Sequence, residues 1–136
     1  MSSAARSLDQ FVQVIETPTC ILGMDEERIC HTIFHPDVHI TMEEMKLVEQ
    51  GMIQISENRA FRILFDVRNQ FIQFDKDARQ HAATAPVTKL IIAEAVILNS
   101  LPNRLLFNFF LNFDKPTFPI KAFSNMNDAM DWLRKK

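Results

Sequence analysis

The feature that most constrains this chain is a hydrophobic period that switches repeatedly along it. Short β-prone apolar runs alternate with stretches whose apolar residues return every three to four positions. The first two runs, Thr19-Cys-Ile-Leu-Gly-Met24 and Ile29-Cys-His-Thr-Ile-Phe34, flank the charged turn Asp25-Glu-Glu-Arg28 and predict a hairpin. In the second run Ile29, His31, Ile33 and His35 point one way, and Cys30, Thr32 and Phe34 the other. Both faces are partly apolar, as expected of an interior strand covered on both sides. His35-Pro36-Asp37 breaks the strand. Thr41-Met-Glu-Glu44 is then a capping box that opens a helix to about Glu57. Met45, Val48, Met52 and Ile55 form its apolar stripe, and Lys46, Glu49, Gln50 and Gln54 face water. Gly51 costs that helix ~1 kcal/mol relative to alanine, so it predicts a close approach by another element.

Phe61-Arg-Ile-Leu-Phe-Asp66 reads as a buried strand, and residues 69–74 as a loop carrying Phe71 and Phe74. Asp75 is placed to cap a second helix to about Ala85, with the small stripe Ala78, Ala82 and Ala85. Pro86 ends it. Lys89-Leu-Ile-Ile-Ala93 starts a strand that continues towards Ile97. Asn99 or Ser100 caps a third helix to about Phe113, with Pro102 in its first turn. Pro119-Ile-Lys-Ala-Phe123 is a short strand, and Ser124 or Asn125 caps a last helix with Ala129, Met130, Trp132 and Leu133 inward. A hairpin followed by helix–strand alternation implies right-handed crossovers. The expected fold is α/β: a mixed, mostly parallel sheet opened by a hairpin, with four helices. At 136 residues there is one domain. We place it at 17–136, after an N-terminal extension, 1–16, of which 1–10 is loosely ordered and 11–15 has the pattern of a short strand.

This order of elements resembles the STAS fold of sulfate transporter and anti-sigma-factor antagonist domains, and more specifically their SpoIIAA-like relatives. The resemblance covers roughly residues 17–135. Phe61-Arg-Ile-Leu-Phe-Asp66 resembles the family's central strand ending in Asp. Phe118-Pro-Ile-Lys-Ala-Phe-Ser-Asn-Met-Asn-Asp-Ala-Met-Asp-Trp-Leu133 is similar to its last strand and helix. The order of strands in the sheet rests on this resemblance. It implies a non-enzymatic interaction module that binds a protein partner. Anti-sigma antagonists carry a phosphorylatable Ser at the start of the helix after the central strand. The matching stretch here, Asp66-Val-Arg-Asn-Gln-Phe-Ile-Gln-Phe-Asp-Lys-Asp-Ala-Arg79, has no Ser, Thr or Gly. Asp75 offers a fixed negative charge at that place, or simply a helix cap. SpoIIAA-like proteins are also similar in outline to Sec14-type lipid-binding domains, which implies an apolar ligand site.

Composition narrows function by exclusion. With 15 Lys+Arg against 17 Asp+Glu, no basic face for nucleic acid is visible. Two glycines are too few for a phosphate-cradling loop. No run reaches the ~18–20 apolar residues of a membrane span, and no signal peptide is apparent, so the expected location is cytoplasmic. Cys20 and Cys30 are then packed free thiols. His31, His35 and His39 recur every four residues, but on a strand His31 and His35 would lie roughly 13 Å apart, too far to share a metal. Asp77 and His81 have i, i+4 helical spacing, yet no nucleophile accompanies them. No cofactor, metal or catalytic set is therefore expected, and the chain reads as a non-enzyme.

Three groups remain. Asp66 and Arg68 end the central strand, where sites of parallel sheets usually lie, and with Asp75 they make a candidate polar site. In the third helix Leu105, Leu106, Phe109, Phe110 and Phe113 form one broad apolar face. Phe107 and Leu111 fall outside it, beside the polar stripe of Arg104, Asn108 and Asn112. A helix on a sheet needs only one stripe. Phe107 and Leu111, with Arg104, are therefore the candidate contact for a protein partner or a second copy. Twelve Phe and seven Met with no Tyr favour apolar contact. The alternative is an apolar small molecule or lipid held by Phe71, Phe74 and Phe110.

Overall fold

The computed structural model describes residues 8–136. The first strand, β1 (Gln13–Glu16), is followed by β2 (Cys20–Met24), β3 (Ile29–Phe34) and a two-residue β4 (His39–Ile40). Helix α1 (Met42–Ser56), β5 (Phe61–Asp66), the short β6 (Gln73–Phe74) and α2 (Lys76–Thr84) come next. A 3-10 turn (Pro86–Leu90) leads into β7 (Ile91–Ile97), α3 (Leu101–Phe109), a π-helical turn (Phe110–Asp114), β8 (Ile120–Phe123) and α4 (Met126–Arg134). The main sheet has the order β1-β2-β3-β5-β7-β8, and β4 pairs separately with β6. β1, β2 and β3 are antiparallel neighbours, and every later pairing in the sheet is parallel. The mixed, hairpin-opened α/β architecture is thus the one expected.

β3 lies between β2 and β5, and all six of its residues are buried. Cys30 and Phe34 face one core together with Leu22, Ile63, Val48 and Ile55. Ile29 faces a second core with Leu64, Ala93, Ala95, Ile97, Ala129 and Leu133. The sheet is therefore covered by α1 and α2 on one side and by α4 on the other. The alanines of β7 let α4 sit close, with Ala129 fully buried. The Thr41 capping box forms as expected: Glu44 N–H donates to Thr41 Oγ1 at 3.3 Å, and Thr41 N–H to Glu44 Oε1 at 3.4 Å. Gly51 is also the close approach predicted, since a Cβ there would stand 2.8 Å from Leu22 Cδ1.

The strand pattern of 11–15 is present as β1, within the N-terminal extension. β1 pairs with β2, and Phe11 lies over Gly23 and against His31, with ring centroids 5.0 Å apart. The loose ordering expected for 1–10 falls outside the described residues for 1–7. The strand expected from Lys89 begins at Ile91, because Lys89 and Leu90 close the 3-10 turn Pro86–Leu90 that Pro86 opens. The third helix is turned by about one residue's arc, ~100°, from the predicted orientation. Leu101, Leu105, Phe109 and Phe113 face outward, while Phe107 packs on the core and Leu111 is partly buried. A buried polar group explains the turn: Asn103 Nδ2 donates to Val67 O at 3.1 Å and Gln70 O at 2.8 Å, and losing either would orphan a carbonyl.

Candidate functional site

Turning α3 opens a cavity of about 120 Å³ between it and the sheet. Phe65 and Val67 come from β5 and its end, Val96 and Leu98 from β7 and its end, and Ile120 from β8. Ala82 of α2 and Leu106, Phe107 and Phe110 close the other side. Ala82 leaves room that a larger residue would fill. The walls are almost wholly apolar, with three polar side chains among them: Asn103, Arg79 and Glu94.

Two of these are committed elsewhere. Asn103 spends its amide on the two carbonyls that anchor α3. Arg79 Nε donates to the buried Asp114 carboxylate, and its guanidinium lies 4.6 Å from the centre of the Phe109 ring. The π-helical turn is what carries Asp114 inward to Arg79. Its widened closure, Lys115 N–H to Phe110 O at 3.1 Å, adds the residue that a regular helix end would lack.

Glu94 is different. It sits in the middle of β7, opposite Ile63 on β5 and Ile120 on β8. Among the described residues its carboxyl has no hydrogen-bond or ion-pair partner. Some of its surface stays accessible, but it lines this cavity and a second one of about 90 Å³ on the same face of the sheet, beneath α1 and α2. Burial pushes its pKa from the usual 4.5 up to about 8, because the apolar surroundings disfavour the carboxylate. The second cavity adds Thr32 and the pair His81 Nε2–Glu49 Oε1 at 2.8 Å.

The residues singled out from sequence separate. Phe74 and Phe110 line cavities, but Phe71 stands outside, in a surface hollow with Pro102 and Ser100. Phe107 is a wall of the cavity, not an outward contact, while Arg104 is exposed. Arg68 donates to both Asp66 oxygens, at 3.0 and 2.8 Å, and this pairing raises its pKa. Asp75 holds the N-cap position of α2 without making a side-chain cap bond; its carboxylate goes to His39 at 2.5 Å. His81 pairs with Glu49 rather than Asp77, whose carboxylate accepts from Ala78 N–H. Burial raises the Cys20 thiol and pushes Cys30 up to about 12, so neither is a thiolate nucleophile at neutral pH. No group of three His, Cys, Asp or Glu that could hold a metal occurs among the described residues.

Glu94 escaped the sequence reading. Its signal was present: a lone acid centred in Ile-Ile-Ala-Glu-Ala-Val-Ile, a run otherwise without charge. Period-two alternation puts it on the face of Val96, inside the sheet.

Sheet order, the opening hairpin and the helices on both faces define a SpoIIAA-like fold. The same fold is found in an uncharacterised protein of the DUF3478 family from Shewanella loihica PV-4, a crystal structure to which this chain is similar. Identity is 13% over 89% of this chain and 90% of that one, with a TM-score of 0.51, a likeness of fold alone. The chain itself belongs to the family described as Domain of unknown function (DUF7793), whose model matches residues 23–136. No curated protein matches it.

Proposed function

We propose that this domain is a non-enzymatic binding module whose site is the cavity between α3 and the sheet, and that its ligand is a small apolar molecule. The observation that carries this is an apolar cavity with an unpaired carboxyl group on its wall. A well-packed core fills such space and pairs such a group. At about 120 Å³ the cavity is close to the size of engineered cavities, ~150 Å³, that hold a benzene ring. A full acyl chain exceeds it, so the volume favours a ring or a short branched chain over a long lipid. Toluene is a suitable probe. On titration with toluene, amide resonances of 94–98 and 103–110 should shift together, and Ala82→Leu, which fills the cavity, should abolish the response. Shifts confined to the outer face of α3, or unchanged by Ala82→Leu, would overturn the reading.

A second reading has its own observation. Leu101, Leu105, Phe109 and Phe113 make an exposed apolar stripe along one side of α3, with Phe109 and Phe113 stacked at 4.4 Å. This suits a protein contact, with a second copy of the chain as the simplest occupant. The contact expected at Phe107 and Leu111 would then lie on the opposite side of the same helix.

A further inference from the structure

We propose that the ligand of the α3 cavity carries a basic nitrogen beside its apolar group, and that Glu94 binds this nitrogen as a carboxylate. The inference rests on the ligand-binding reading and adds the chemistry of the polar end. Among the described residues, Glu94 is the one polar side chain of the cavity without a hydrogen-bond or ion-pair partner. The charged groups around it are already matched. Arg79 on α2 is held by Asp114 of the π-helical turn, and His81 on α2 by Glu49 of α1. The flanking strands β5 and β8 present Ile63 and Ile120.

This arrangement discriminates among ligands. An anion entering the cavity meets a guanidinium already neutralised by Asp114, and gains no free cation. A neutral carbonyl accepts the Glu94 O–H but leaves the other carboxyl oxygen unpaired. A protonated amine donates to both oxygens and brings the charge that the surroundings lack, since the guanidinium of Arg79 is already taken by Asp114. The proton balance is simple. An amine entering as the free base takes the proton from the Glu94 hydroxyl. An amine entering as its ammonium ion displaces that proton to water. Both routes end in the same buried ion pair, the only kind of buried charge that proteins tolerate well.

The test is calorimetric titration of the full chain with benzylamine, toluene and benzamide, in buffers of differing ionisation enthalpy. Benzylamine should bind with release of about one proton, its affinity rising about tenfold per pH unit from pH 6 towards 8, because Glu94 must ionise. In Glu94→Gln the proton release should vanish and benzylamine affinity fall at least tenfold, with toluene unchanged. Benzylamine binding without proton release, equal binding by Glu94→Gln, or benzamide held more tightly than benzylamine would overturn this inference while toluene binding upheld the cavity. Failure of all three probes would remove the ligand-binding reading itself. Should Glu94→Gln not fold, proton release by the wild-type chain alone decides.

Discussion

Glu94 is a carboxyl group in surroundings that disfavour carboxylates, and its cost depends on pH. The folded protein holds its proton up to about pH 8, whereas the unfolded chain releases it near 4.5. Between those values unfolding releases a proton, so stability is greatest below about pH 4.5 on this account and is lost as pH rises through about 8. The full difference is roughly 4–5 kcal/mol at ~1.4 kcal/mol per unit. Thermal melts of wild type and Glu94→Gln should therefore diverge between pH 5 and 8, with the wild-type Tm falling relative to the variant. Parallel curves would mean that the carboxyl finds a partner in solution. Asp25 is the contrasting acid. Burial would raise it, but bonds from His31 and from the Ile29 and Glu27 amides outweigh burial and hold it below the usual range. Two half-buried acids thus differ because one is surrounded by donors and the other by isoleucine, alanine and phenylalanine.

At the scale of elements, α3 decides where the site lies. Its pattern holds more apolar residues than one sheet-facing stripe requires, so counting alone could not choose the inward face. The choice falls to Asn103, whose amide must satisfy two loop carbonyls, and this brings Leu106, Phe107 and Phe110 to the cavity. Truncations should report the orientation. Phe107→Ala should cost about 2–4 kcal/mol in denaturant unfolding, since it leaves a void against the core. Leu105→Ala, on the exposed side, should stay within about 0.5 kcal/mol. The reverse ranking would show the helix seated as the apolar count predicts. α1 was more legible. Its capping box, its stripe and the reason for Gly51 all follow from local spacing, because each concerns residues within one or two turns or a single missing Cβ.

At the scale of the molecule, the sheet is covered unequally. One face is closed by α4 on small alanines, and the other carries α1, α2 and α3 with cavities between them. No helix among the described residues is long and apolar enough to cross a membrane. The exposed stripe of α3 bears on assembly. If a second copy covers it, sedimentation equilibrium should give twice the chain mass, and Phe113→Asp should return the monomer without loss of the fold. A wild-type monomer at high concentration would leave the stripe to another partner.

The amino-acid sequence by itself determined the four helices, the main strands, the Thr41 capping box, the hairpin and the mixed character of the sheet. Those depend on hydrophobic period, on proline and on side chains a few residues apart. It also pointed to Asp66, Arg68, Asp75 and the phenylalanines, but not to how they divide. Only the tertiary structure decided that. His81 meets Glu49 across 32 positions, Arg79 meets Asp114 across 35, and Asn103 meets Gln70 across 33. No local spacing encodes such partners. Whether a polar group is matched or left unpaired depends on what the fold brings against it, and among the described residues Glu94 is the polar side chain of the α3 cavity left unpaired.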